Sequence, residues 1–192
     1  MVRPRLVLVL GTPGVGKTAV ARGLAKELGL RFVDLGTVVK RQRLYSNYDT
    51  NRASYVASES RIRHEWARIA GKGAVVATHF LTEGMARGFE TVSVVLRLDP
   101  LVLWRRLRAR GWSRSKAWEN VESELLDVCY FEAHGVLNSR RVFELDTTRK
   151  SRSKTLREVS AFVNGRTRAQ IRRVDWLRIY DPIEIARRFG IG

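Results

Sequence analysis

A chain of 192 residues with 44% apolar side chains is long enough for one domain with a sizeable core. No stretch approaches the roughly 18 consecutive apolar residues of a membrane span, and the apolar run after Arg5 is too short for a secretory leader. A cytoplasmic protein with no membrane partner is expected. The formal charge of +17 exceeds what solubility requires and favours a polyanionic partner, an RNA-containing one, while the single cysteine, Cys129, excludes an internal disulfide.

In chain order, Leu6 to Leu10 is a continuous apolar run of strand length, as expected when helices cover both faces of a parallel strand. Val20, Leu24 and Leu28 then recur at helical spacing from Lys17 onward, and Gly29 supplies a stop. Further strand-like runs are predicted at Arg31–Val33, Gly73–Ala77, Val92–Leu98 and Arg141–Leu145. Helices are predicted at Ser58–Ala70, Pro100–Ala109, Ser113–His134 and Arg152–Val163. The third of these carries the stripe Trp118, Val121, Leu125 and Val128, with Ser113 as N-cap, Gly135 as stop, and Cys129 and Trp118 as core residues. Strands alternating with helices predict an α/β fold of three layers with a central parallel sheet. Beyond Asn164 a basic tail of one or two short helices is expected, giving a main domain over 1–164 and a tail over 165–192.

The chemistry concentrates in Gly11-Thr12-Pro13-Gly14-Val15-Gly16-Lys17-Thr18, which matches G-x-x-x-x-G-K-[ST] between a strand and a helix. In that context backbone N–H groups turn around a phosphate and the helix dipole adds positive potential. Pro13, Gly14, Val15, Gly16, Lys17 and Thr18 are therefore expected to bind ATP, with Lys17 at the β- and γ-phosphates and Thr18 on Mg²⁺. No N-K-x-D sequence is present to read guanine, which favours a compact kinase.

Such an enzyme must close over its substrates, since an open site lets water intercept the phosphoryl group. A flap is expected at about residues 31–54, with a helix-like Thr37–Leu44 and a polar loop Tyr45–Asp49. A short basic lid is expected at about residues 106–117, where Arg110 would neutralise moving charge. His79 ends the Ala74–Thr78 run and should project at the carboxyl edge of the sheet, to position water or a phosphate. His64 and His134 are expected to be structural. Two basic clusters stand out: Arg105 to Lys116, and Arg140 to Arg173 with eleven Lys or Arg against Glu144, Asp146 and Glu158.

Taken together, the glycine-rich motif, Leu44-Tyr45 with Tyr48-Asp49, His79, Leu96-Arg97-Leu98-Asp99, Arg108-Ala109-Arg110-Gly111-Trp112, and Glu119-Asn120-Val121 with Glu124 resemble the adenylate kinase isoenzyme six family over roughly residues 5–164. The resemblance implies a P-loop NTPase fold with an NMP-binding flap and short lid, and Mg²⁺-dependent phosphoryl transfer from ATP to AMP or another nucleoside monophosphate. It also implies ATPase activity and a part in late small-subunit maturation, with a platform ribosomal protein and small-subunit rRNA or a pre-30S particle as partners. Lys17, His79 and Arg110 would be its catalytic residues. Two positions depart from the family: an acid common two residues before the histidine is Ala77, with Thr78 as a water-mediated substitute, and a common flap arginine is Lys40. The alternatives are an RNA-binding assembly factor that uses ATP as a conformational switch, and a metabolic small-molecule kinase.

Overall fold

A computed structural model describes residues 4–50, 54–169 and 174–191. Arg52 of the expected flap, and Ile171, Arg172 and Arg173 of the basic tail, lie outside the described residues. The elements run β1 (Leu6–Leu10), α1 (Lys17–Leu28), β2 (Arg31–Asp34), α2 (Leu35–Arg41), β3 (Tyr45–Asp49), β4 (Ser54–Ala57), α3 (Glu59–Ala70), β5 (Ala74–Ala77), β6 (Thr91–Arg97), α4 (Pro100–Ala109), α5 (Arg114–Leu125), α6 (Val128–Val136), β7 (Val142–Asp146), α7 (Arg152–Val163) and α8 (Pro182–Arg188). Among the described residues no helix is long and apolar enough to cross a membrane.

Five strands form one parallel sheet in the order β2-β5-β1-β6-β7, with β1 central. Strand side chains alternate between faces. Val7 and Val9 accordingly join one core with residues of α1, α4, α5 and α7, while Leu6, Leu8 and Leu10 join a second core with α2, α3 and α6. All five residues of β1 are fully buried, which is why its sequence is apolar without alternation. Three layers result, forming the expected P-loop NTPase α/β fold.

The predicted helix Ser113–His134 is two helices. Ser113 caps the first through its side chain, which accepts from Lys116 N at 3.2 Å. At Asp127 the backbone turns left-handed, with φ 56°. The cause is Arg97: its Nη2 donates to the carbonyl of Glu124 at 2.8 Å and to the Asp127 carboxylate, drawing that turn inward. Val128 is thereby thrown off the stripe and is 38% exposed, whereas Val121 and Leu125 are fully buried. Gly135 is not the stop, because α6 continues to Val136. Cys129 is buried as expected, and burial pushes its thiol up to about 12.

The flap differs from a polar loop. Tyr45–Asp49 is strand β3, paired antiparallel with β4. Its polar side chains are tolerated because a two-stranded ribbon has open faces, and it gains an aromatic cluster: Tyr55 lies 4.3 Å from Tyr45 and 5.0 Å from Tyr48, ring to ring. Arg61 of α3 fixes the hairpin's root, donating to the carbonyls of Arg43 at 3.1 Å and Tyr45 at 2.8 Å.

Candidate active site

The carboxyl ends of the parallel strands bring together residues that lie far apart in the chain. From β1 the chain enters the glycine-rich loop, which is packed against α4. A Cβ at Gly14 would meet Leu103 Cδ1 at 2.8 Å and Leu107 Cδ2 at 2.9 Å, and the residue has φ 102°, so only glycine fits. Among the described residues, the N–H groups of Gly14, Gly16, Lys17 and Thr18 have no protein acceptor. A ring of unpaired donors at a helix N-terminus suits an anion.

Lys17 is half-buried, and its Nζ donates to the carbonyl of Thr12 at 3.1 Å. Burial lowers its pKa to about 8, against the opposing pull of the Asp34 and Glu124 charges. Thr18 Oγ1 donates to Asp34 Oδ2 at 3.1 Å. The other Asp34 oxygen caps α2, accepting from Thr37 N at 3.1 Å. Asp34 sits beside Ala77 in the β2–β5 register. A carboxylate is therefore present next to the position where Ala77 leaves none, supplied by the neighbouring strand. Nothing in the sequence motif marks Asp34; its place one residue beyond the predicted end of the second strand is the signal that could have found it. Thr78 is turned away from a metal role, with its hydroxyl donating to the carbonyl of Phe80 at 2.7 Å.

His79 follows β5 and stays exposed at the sheet edge. Desolvation by the surrounding protein, then the nearby Lys17 ammonium, lower its pKa to about 4, with Asp34 opposing. At neutral pH it is an uncharged imidazole, able to accept one hydrogen bond and donate another. Its carbonyl accepts from Cys129 Sγ at 3.4 Å. Lys17, Thr18 and His79 thus converge with Asp34. Arg110 does not join them: it stands exposed at the end of α4, before the turn at Gly111. Lys40 is exposed on α2, with Nζ 5.9 Å from the centre of the Tyr55 ring.

Beneath the loop lies a buried ionic cluster. Arg97 Nε meets Glu124 Oε1 at 2.7 Å, its Nη1 meets Glu144 Oε1 at 2.6 Å, and its Nη2 meets Asp127. Burial opposes the Arg97 charge, but Glu124 and Asp127 outweigh it and its pKa is raised. Burial pushes Glu144 up, despite bonds from Val174 N and Arg97.

A family model described as an AAA domain matches residues 7–127. A protein named "Putative adenylate kinase" from Pyrococcus furiosus is 34% identical over 193 residues, covering 96% of this chain and 98% of its own. The chain belongs to this family of small nucleotide kinases. Another bearer of that name, from Saccharolobus solfataricus, is 34% identical over 157 residues, covering 80% of this chain and 81% of its own. Among solved structures, shikimate kinase from Bacteroides thetaiotaomicron superposes with TM-score 0.55 at 18% identity, covering 84% of this chain and 99% of that one. A gluconokinase from Sinorhizobium meliloti gives 0.54 at 19%, covering 85% and 93%. These two likenesses concern the fold, which is that of P-loop kinases.

The large basic segment of this family member is split by the fold. Arg140 and Arg141 precede β7, and Arg166 and Arg168 follow α7, so these four stand at the amino edge of the sheet, away from the glycine-rich loop. Arg140, Arg141 and Arg168 border a cavity of about 1110 Å³ there, floored by Val92, Phe162 and Val163. Arg152 instead lies at the loop's side, donating to the carbonyl of Ala19 at 3.3 Å, and Lys150 pairs with Glu158 at 2.5 Å.

Proposed function

We propose that this protein transfers the γ-phosphoryl group of ATP to a nucleoside monophosphate, with AMP as the acceptor, and hydrolyses ATP when no acceptor is bound. The observation that carries the proposal is the convergence of Lys17, Thr18, Asp34 and neutral His79 around a loop of unpaired N–H donors. The name borne by its archaeal relatives favours a nucleotide acceptor over a sugar or shikimate-like one.

The N–H groups of Gly14, Gly16, Lys17 and Thr18 hold the β-phosphate, with Pro13 and Val15 shaping the turn between them, and Lys17 spans the β- and γ-phosphates. Two hard oxygens 3.1 Å apart, on Thr18 and Asp34, fit Mg²⁺, which the first would ligand directly and the second through water. Held there by Thr18 and Asp34, the ion would supply positive charge to offset that of the phosphates. His79 donates its N–H to an acceptor phosphate, or accepts a hydrogen bond from an attacking water, and orients the attacking group in line. The β3–β4 hairpin, carrying Tyr45, Tyr48 and Tyr55, closes over the acceptor from the β2 side. The lid at about residues 106–117 brings Arg110 onto the transferring group from the other side.

His79→Ala is expected to lower kcat by roughly 10²- to 10³-fold, while the Kd for Mg-ATP changes little, because the imidazole acts on the reaction and not on the ground state. Steady-state kinetics with calorimetric ATP binding reads both. Equal losses of affinity and melting temperature would mark the histidine as structural. The acceptor is tested by measuring ATP consumption with AMP, with other monophosphates, with rRNA fragments and with no acceptor. Stimulation by AMP above the rest supports the proposal, and stimulation by rRNA alone favours the conformational-switch alternative.

We further propose that the kinase serves small-subunit maturation, through a platform ribosomal protein and small-subunit rRNA, on the strength of the charge of +17 and the basic rim at the sheet's amino edge. If Arg140, Arg166 and Arg168 touch RNA phosphates, binding to rRNA weakens steeply with salt, log K falling by about 0.7 per single-strand contact for each decade of salt. Replacing the three with glutamate is expected to flatten that slope and leave RNA-free ATP turnover unchanged. Salt-insensitive binding would mean a solvated surface.

A further inference from the structure

Glu124 is 1% exposed and fully engaged. Its Oε1 accepts from Arg97 Nε at 2.7 Å, Leu98 N at 3.1 Å and Trp176 Nε1 at 3.1 Å. Its Oε2 accepts from Thr12 Oγ1 at 2.6 Å. Three donors on one oxygen fix the plane of a carboxylate, so the other oxygen is aimed.

What it is aimed at is the second residue of the phosphate cradle. Thr12 is itself 1% exposed, and its hydroxyl points into the core, not toward a nucleotide. Its carbonyl accepts from Lys17 Nζ at 3.1 Å and from Val15 N at 3.3 Å. One residue thus ties the buried carboxylate to the turn of the cradle and to the resting place of its lysine.

Trp176 reaches Glu124 from the C-terminal segment, which docks by several contacts. Val174 N donates to Glu144 Oε2 at 2.7 Å, Tyr180 donates its hydroxyl to Asp99, and Phe189 stacks on Trp104 of α4 at 4.1 Å. Trp176 and Ile185 are each 5% exposed, within the same core as α1 and α5.

We propose that Glu124 is a positioning residue for the phosphate cradle, and that the docked C-terminal segment, through Trp176, helps aim it and so sets nucleotide affinity. The proposal rests on the nucleotide-binding function above. Glu124 acts through Thr12 and does not touch the reacting atoms.

The test uses the full chain, with Mg-ATP as probe, in calorimetry, kinetics and thermal melts. Thr12→Val keeps the shape and removes the donor; it is expected to raise the Kd about tenfold, and Trp176→Phe about threefold. The double variant should bind no worse than Thr12→Val alone, since both act through one carboxylate. Thr12→Ser should recover most of the lost affinity. Ile185→Val, in the same segment but with no bond to Glu124, should lower the melting temperature and leave the Kd alone. Wild-type affinity in Thr12→Val and Trp176→Phe, or weakening in Ile185→Val in proportion to lost stability, would overturn the inference while leaving the kinase proposal standing. A wild-type chain that fails to bind Mg-ATP would overturn both.

Discussion

Lys17→Ala is expected to lower kcat/KM for ATP by roughly 10²- to 10³-fold, as removal of a charge aimed at the transferring phosphate does elsewhere. The fold should survive. Lys17 is half-buried and bonds one carbonyl, and desolvation lowers its pKa to about 8, so its charge costs the free protein stability and its removal does not threaten the fold. The same value predicts a pH profile. Below pH 8 the ammonium is charged and available to phosphate; above it the free enzyme loses the proton, and kcat/KM should fall about tenfold per pH unit. Bound phosphates favour the charged form, so kcat should hold to higher pH. The Lys17→Ala profile should lack this alkaline limb. A steady-state pH series on both proteins checks the pair of claims, and unchanged turnover in the variant would remove Lys17 from the site.

Arg97→Leu is expected to be the most damaging single change to stability. It leaves Glu124, Asp127 and Glu144 buried, at 1%, 0% and 3% side-chain exposure, without the cation they share. Breaking a buried pair from one side costs about 3–5 kcal/mol. For a chain of this size that lowers the melting temperature by roughly 10–15 °C. The sign of the pH dependence follows. Burial already raises the Glu144 pKa and Arg97 opposes that, so without Arg97 it rises further and the native variant takes up a proton there as pH falls. The gap between variant and wild type should then narrow below neutral pH. Thermal melts across pH check this, and a small, pH-independent gap would show that the cluster is not held together by charge.

Much of the fold is legible in the sequence because its signals are local. The apolar run Leu6–Leu10, the cap at Ser113 and the stop at Gly29 each act within a few residues, and the structure uses them where they stand. The glycine-rich loop is legible for the same reason: its unpaired N–H groups lie within five residues, Gly14 to Thr18. What escaped depends on partners distant in sequence. The break at Asp127 is imposed by Arg97, 30 positions earlier, and no helix propensity reports it. The Tyr45–Asp49 strand is polar, and its pairing with Ser54–Ala57 gives no buried face to read. Asp34 lacks a motif and becomes part of the site only because β2 lies beside β5. Trp176, in a basic tail, is buried in the core and donates to Glu124, 52 residues away.

The central claim, phosphoryl transfer to a nucleoside monophosphate, is tested most directly by following the label from ATP marked at its γ-phosphate in the presence of AMP and Mg²⁺. Transfer predicts label in the β-phosphate of newly formed ADP, two ADP per ATP consumed, and loss of both in Lys17→Ala. Label appearing only in free phosphate, at a rate that AMP does not change, would contradict it.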